Sequence, residues 1–225
     1  METSLDSLYL PEIIIPTFEM PIAEHQSKTL ITIYDGACGY EDEMLLKDIT
    51  FQMKSGERIA LKGNNDSGKT TLVKAILKDG SVNLSGEWKM AEKAIGFLDQ
   101  HYHILNPSQT VLAIMEEQKP DWDLAKIRHH LNQCLFKNNH QVNQSISELS
   151  GGEKARLCLS LIAASPPQLL ILDEVTNNLD LETRAHVIEI LKAYLGGLLA
   201  LSHDQNFLDE IGMEREITCK DMKLL

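Results

Sequence analysis

Apolar residues fall in short runs separated by glycine-, proline- or charge-containing turns, and the spacing within the runs alternates between two kinds. Leu30–Tyr34, Ile49–Met53, Arg58–Leu61, Gly86–Lys89, Ile95–Leu98, Gln168–Leu172 and Leu198–Leu201 have strand length and strand composition. Gly68–Leu77, Thr110–Glu117, Leu124–Phe136, Gly151–Ala164, Leu181–Tyr194 and Gln205–Ile211 carry apolar residues at helical spacing. The runs at 168–172 and 198–201 are continuously apolar, as in parallel strands covered on both faces. The early strands, joined by short turns, predict an antiparallel β portion beside that parallel core. Pro120-Asp121 and Asn138-Asn139-His140 bracket a helical insert. The pattern is therefore α/β from Thr29 onward. Residues 1–27 read as an extended leader, because Pro11, Pro16 and Pro21 recur around Ile13-Ile14-Ile15 and Phe18.

Composition narrows the partners. A chain of 225 residues suits one large α/β domain or two small ones. The formal charge of −12 opposes broad nucleic-acid binding by this segment, which requires clustered Lys and Arg to displace counterions. It also opposes attraction to an anionic membrane surface. No apolar run approaches the roughly 20 residues that span a bilayer, so direct membrane insertion is not expected. Cys38, Cys134, Cys158 and Cys219 lack metal-ligand spacing and read as reduced thiols of a cytoplasmic protein.

The candidate chemistry begins at Gly63-Asn64-Asn65-Asp66-Ser67-Gly68-Lys69-Thr70, followed by Thr71. Glycine, four residues, then Gly-Lys-Thr, set between an apolar strand and a helix, is a phosphate-binding loop. Its glycines let successive N–H groups face phosphate oxygens, and the helix N-terminus adds partial positive charge. Lys69 reaches the β- and γ-phosphates, and the Thr70 hydroxyl ligates Mg²⁺. Downstream, Gln168–Leu172 leads into Asp173-Glu174, two acids at the carboxyl end of a buried strand. Asp173 would hold Mg²⁺ and Glu174 would polarise the water attacking a γ-phosphate. Between the two lies Leu149-Ser150-Gly151-Gly152-Glu153. Ser150 and Glu153 form a capping box, while the paired glycines expose N–H groups at a positive helix end, an anion site.

Leu149-Ser150-Gly151-Gly152-Glu153, placed between phosphate loop and acidic strand end, resembles the signature of ATP-binding-cassette (ABC) ATPases. The resemblance covers roughly residues 30–215. It implies a P-loop NTPase of the ABC type: a nucleotide-binding domain over 28–225 with a helical subdomain at about 104–163. It further implies adenine stacking on Tyr40, a Mg²⁺- and water-sensing role for Gln100, and γ-phosphate contact by His203. Asn178-Leu179-Asp180 matches the loop that links paired domains. ATP and Mg²⁺ are the implied ligands, with ATP sandwiched between two cassettes, so that Ser150, Gly151, Gly152 and Asp180 serve the partner's nucleotide.

Ser150-Gly151-Gly152-Glu153-Lys154-Ala155-Arg156, Asp173-Glu174-Val175-Thr176-Asn177-Asn178-Leu179-Asp180 and Ser202-His203-Asp204-Gln205-Asn206-Phe207-Leu208 resemble the F subfamily. These are soluble twin-cassette ATPases that act on ribosomes. Lys69 and Gln100 are only 31 positions apart, as in the second cassette of such proteins. The implied partners are a second cassette, by self-pairing or as the other half of a longer chain, and the ribosome. An ABC transporter ATPase subunit and a weakly catalytic nucleotide-responsive module are the competing readings. Two departures stand out: Asp66 occupies a usual glycine of the phosphate loop, and Val175 replaces a usual proline. Left-handed backbone is tolerated by Asp better than by most residues, so loop geometry survives while affinity drops.

Overall fold

In the parallel strands, neighbouring residues point into two different cores. Ala60, Leu98, Leu170, Leu172, Leu198 and Ala200 enter one buried cluster. Ile59, Leu61, Leu169, Ile171, Leu199 and Leu201 enter the other. Side chains alternate across a strand, so a run that is apolar at every position must be covered on both faces. The computed structural model describes residues 29–41, 43–64, 66–90, 95–176, 179–220 and 222. The leader expected at 1–27, Asn65 and Asn178 lie outside the described residues.

The strands are β1 Thr29–Tyr40, β2 Glu43–Lys54, β3 Arg58–Lys62, β4 Asn83–Met90, β5 Ile95–Leu98, β6 Leu169–Asp173, β7 Gly197–Leu201 and β8 Arg215–Thr218. The helices are α1 Lys69–Ile76, α2 Val111–Gln118, α3 Leu124–Gln133, α4 Asn139–Asn143, α5 Gly151–Ala164, α6 Leu181–Ala193 and α7 Gln205–Glu210. A five-stranded sheet runs β5-β6-β7-β3-β8, and a three-stranded sheet runs β2-β1-β4. The pairings of the first are parallel and those of the second antiparallel. Helix α1 and the antiparallel sheet cover one face of the parallel sheet, while α2, α3, α5, α6 and α7 supply the core on the other.

Several elements differ from the sequence expectation. Strand β2 begins at Glu43 rather than Ile49, and α4 forms at Asn139–Asn143, where only a boundary of the helical insert was expected. Strand β1 continues past Tyr34 because Asp35 adopts φ 47° and makes a bulge, after which pairing resumes at Ala37↔Ser85. Gly86 faces that bulge, where any Cβ would lie 2.1 Å from the Asp35 carbonyl oxygen. Strand β8 was not expected, since Arg-Glu-Ile-Thr carries one apolar position and sits at the sheet edge. Helix α3 stops at Gln133, short of the expected Phe136, where Leu135 turns left-handed at φ 67°.

Polar groups close the helix ends. Thr110, Asp123, Asn138, Ser150, Asp180 and Asp204 each accept an N–H in the first turn of the helix they begin. The Arg58 guanidinium donates to the Ile211, Leu191 and Tyr194 carbonyls, joining the start of β3 to the ends of α6 and α7. All four cysteines are buried and unbridged. Burial pushes the Cys38 thiol up to about 11 and Cys134 to about 12. Among the described residues no helix is long and apolar enough to cross a membrane.

His186 on α6 is buried, and its Nε2 has no hydrogen-bond partner among the described residues. Burial, reinforced by the nearby Arg156 charge, lowers it to about 4. Neutral His186 therefore suits the fold, whereas the unfolded chain takes up a proton below its ordinary value of about 6.5. Stability from this residue is complete above that value and is lost as pH falls toward about 4. The loss between pH 7 and pH 5 amounts to about 2 kcal/mol. Urea unfolding of His186→Leu should show a shallower acid loss than wild type by that amount; parallel pH profiles would contradict it.

Candidate nucleotide-binding cleft

Strand β3 ends at Lys62, and the loop to α1 turns through backbone that few residues adopt. Gly63 has φ 146°, Asp66 φ 65° and Gly68 φ 89°. A Cβ on Gly63 would lie 2.6 Å from Ser67 Oγ, so this position admits glycine alone. Asp66 takes the left-handed conformation in glycine's place, and its side chain is exposed at the cleft. The Lys69 ammonium donates to the Gly63 and Asn64 carbonyls, at 2.9 Å for the latter, and lies over the loop.

Loop residues Asn64, Asp66, Ser67, Gly68, Lys69, Thr70 and Thr71 line a cleft of about 600 Å³. Tyr40, Gln100, Asp173, Glu174 and His203 line it too. Tyr40 lies at the end of β1, with its hydroxyl 3.5 Å from Thr71 Oγ1 and the Lys74 ammonium 5.7 Å from its ring. Gln100 follows β5, Asp173 ends β6 and His203 follows β7. Glu174 turns left-handed at φ 49° and donates its N–H to the Leu201 carbonyl. That bond brings the Glu174 carboxylate within 3.4 Å of His203 Nε2.

Ser150, Gly151, Gly152 and Asp180 are not among the residues lining this cleft. They gather at a second place. Ser150 Oγ accepts from Glu153 N–H, and the Glu153 carboxylate accepts from Ser150 N–H, closing the expected capping box. A Cβ on Gly152 would meet Thr183 Oγ1 at 2.9 Å and Asp180 Oδ2 at 3.1 Å. Asp180 caps α6 by accepting from Thr183 N–H at 2.8 Å. Sequence reading did not single out Leu45, which lines the cleft, or Asp99, whose carboxylate accepts from His101 and His103 N–H groups. For Asp99 a local signal existed, an acid two and four residues before His101 and His103; for Leu45 there was none.

The cleft fits a triphosphate and a hard cation. Ser67 Oγ is buried in the loop wall with no hydrogen-bond partner among the described residues, and unsatisfied buried polar atoms signal a missing partner. Thr70, Gln100 and Asp173 offer oxygen donors alone, which suits Mg²⁺ rather than a softer metal. Asp173 is raised above the ordinary carboxylate range by burial first, then by the charges of Glu174 and Asp99.

The ABC transporter family model matches residues 46–177. ABC transporter F family member 5 of Arabidopsis thaliana is 32% identical over 230 residues, covering 98% of this chain and 33% of that protein. Probable ATP-binding protein YheS of Haemophilus influenzae is 36% identical over 198 residues, covering 85% of this chain and 31% of its own length. The chain thus spans about a third of the curated relatives it matches. A dimeric post-hydrolysis structure of the ATP-binding cassette MJ0796 bound to ADP and Pi superposes with a TM-score of 0.68 at 20% identity, covering 84% of this chain and 94% of that one. The fold is that of a P-loop ATPase cassette. The chain belongs to the ABC family, and its kinship is with ABC-F proteins.

Because burial opposes the Asp173 charge, Asp173→Asn should stabilise the chain measured without nucleotide. We expect a higher Tm than wild type in calorimetry at pH 7. The raised carboxyl is neutral in the fold at low pH, so the gain must fade as pH drops toward about 4. An unchanged or lower Tm at pH 7 would contradict a strained carboxylate at this position.

Proposed function

We propose that this chain is the ATP-binding and ATP-hydrolysing cassette of an ABC-F-like protein, enclosing Mg·ATP between two cassettes. The observation that carries the reading is the separation of two half-sites on one molecule. The cleft holds the phosphate loop and the carboxylates, while Ser150-Gly151-Gly152 and Asp180 cluster outside its lining. One chain therefore presents a cradle and a lid edge, each of which is completed by a second copy or a second cassette.

Tyr40 stacks on the adenine. Gly63, Asn64, Asp66, Ser67, Gly68 and Lys69 surround the phosphates with N–H groups and one ammonium. Thr70, Gln100 and Asp173 hold Mg²⁺, and Thr71 lines the wall next to Tyr40. Bound Mg²⁺ supplies charge neutralisation at the phosphate oxygens. Glu174 acts as the base toward the attacking water, and His203 orients it and contacts the γ-phosphate. The Glu174–His203 approach of 3.4 Å supports that pairing. Ser150, Gly151, Gly152 and Asp180 complete the partner's site.

The kinship with ABC-F proteins supports closure of the paired cassettes on the ribosome, regulating translation, in the cytoplasm. Asp66 favours a second reading: an exposed carboxylate at the cleft lowers affinity for a triphosphate, as expected of a nucleotide-responsive module with weak turnover. Single-turnover hydrolysis separates the two readings. Glu174→Gln should lower turnover by about 10²–10⁴-fold, the worth of a positioned general base. The same variant should form an ATP- and Mg²⁺-dependent dimer in size exclusion, and a persistent monomer at high concentration would count against self-pairing. Co-sedimentation of that variant with ribosomes tests the partner; absence from the ribosomal pellet would favour the transporter-subunit reading.

A further inference from the structure

Gln100 reaches the cleft with no side-chain hydrogen bond among the described residues, so its position is set by its backbone. That backbone is held from one side chain. Asp99 is 8% exposed and does not line the cleft. Its carboxylate accepts from His101 N–H at 2.7 Å, His103 N–H at 3.0 Å and His103 Nδ1 at 2.9 Å. Between those two histidines, Tyr102 adopts φ 57° while almost fully buried. A bulky residue does not take left-handed backbone unless its surroundings enforce it. The Tyr102 N–H returns to the Asp99 carbonyl, and the Leu105 N–H returns to the Tyr102 carbonyl. Tyr102 and Leu105 are both anchored in the helix-side core. The turn that carries Gln100 is therefore pinned at two ends, by the Asp99 carboxylate and by buried apolar packing.

Asp99 is close enough to raise Asp173 by its charge. A carboxylate nonetheless caps this turn, and hydrogen bonds to a carboxylate are roughly twice as strong as those to a neutral acceptor. We propose that Asp99 is a positioning residue, whose clamp on the His101 and His103 N–H groups holds Gln100 at the cation end of the cleft. The inference rests on the nucleotide-binding reading and goes beyond it by assigning a role to a residue outside the cleft.

The test is a double-mutant cycle read by binding. Wild type, Asp99→Asn, Gln100→Ala and the double variant are titrated with Mg²⁺ in the presence of ATP by calorimetry, and with ATP in EDTA. Asp99→Asn keeps the shape but leaves one N–H facing an amide nitrogen. It should weaken apparent Mg²⁺ affinity about tenfold, the usual cost of losing an outer partner of a metal ligand. ATP binding in EDTA should change less than about twofold, because the phosphate loop is untouched. In the Gln100→Ala background, Asp99→Asn should have no further effect on Mg²⁺. A charge effect on Asp173 or a general loosening would persist there, and additive losses would overturn the proposal. Equal weakening with and without Mg²⁺ would overturn it as well. Thermal melts show whether each variant is folded, and Asp99→Ala serves as a stronger second lesion with the same expected order. A wild type that binds no ATP at all would instead refute the nucleotide-binding reading, and the proposal with it.

Discussion

Parallel strands hydrogen-bonded in the order β5-β6-β7-β3-β8 have all their carboxyl ends on one edge, and everything in the cleft follows from that. Lys69 and Thr70 follow β3, Gln100 follows β5, Asp173 and Glu174 close β6, and His203 follows β7. These residues are spread over more than a hundred positions of sequence, yet the sheet delivers them to one opening. The sheet does so because both of its faces are buried, which leaves its ends as the places where polar side chains meet solvent. Alternation of Leu169, Leu170, Ile171 and Leu172 between two cores is the physical fixing of that arrangement. A slip of one residue in any strand would exchange its two faces and move its terminal acid or histidine out of reach.

The same constraint sets the electrostatics. A buried sheet ending brings carboxylates into a place where desolvation penalises them, and Asp173 feels Glu174 and Asp99 in addition. Lys69 and His101 offset part of that penalty. Lys69 is meanwhile engaged with the loop carbonyls of Gly63 and Asn64. The cleft therefore combines one ammonium held over the loop with an excess of carboxylate, a balance that suits a triphosphate and a divalent cation entering together. Away from the cleft, α5 and α6 bring Arg156 and His186 together in the interior, where the histidine stays neutral.

Much of this was legible beforehand, and the reasons differ by element. The parallel core could be read because continuous apolar runs have only one structural solution at strand length. The phosphate loop could be read because Gly63 and Gly68 need backbone that almost no other residue adopts. The caps at Ser150 and Asp180 were visible as side-chain chemistry local to a helix start. Strand β8 was hidden, since an edge strand pairs through backbone and places few demands on its side chains. The bulge at Asp35 was hidden too: the reading ended this strand at Tyr34, and the strand continues because Gly86 across the ladder leaves room for the bulge. Leu45 reaches the cleft through sheet register, which periodicity alone does not fix.

Ser150 and Glu153 show how one short motif closes a helix start. The capping box satisfies the helix start through side chains, with Ser150 Oγ also donating to Glu153 at 2.8 Å. A helix start that is already satisfied in this way does not need glycine at its first two positions. Gly152 is required on other grounds, since a Cβ there would press on Thr183 and Asp180. That contact joins the start of α5 to the cap of α6, so the two segments form one edge. Asp180 is lowered below the ordinary carboxylate range, by the Thr183 N–H first, and remains charged at that edge. An edge made of two helix N-termini, joined by a glycine and a capping carboxylate, is held by contacts within one chain. Preorganisation of that kind reduces the ordering cost of any association at this edge.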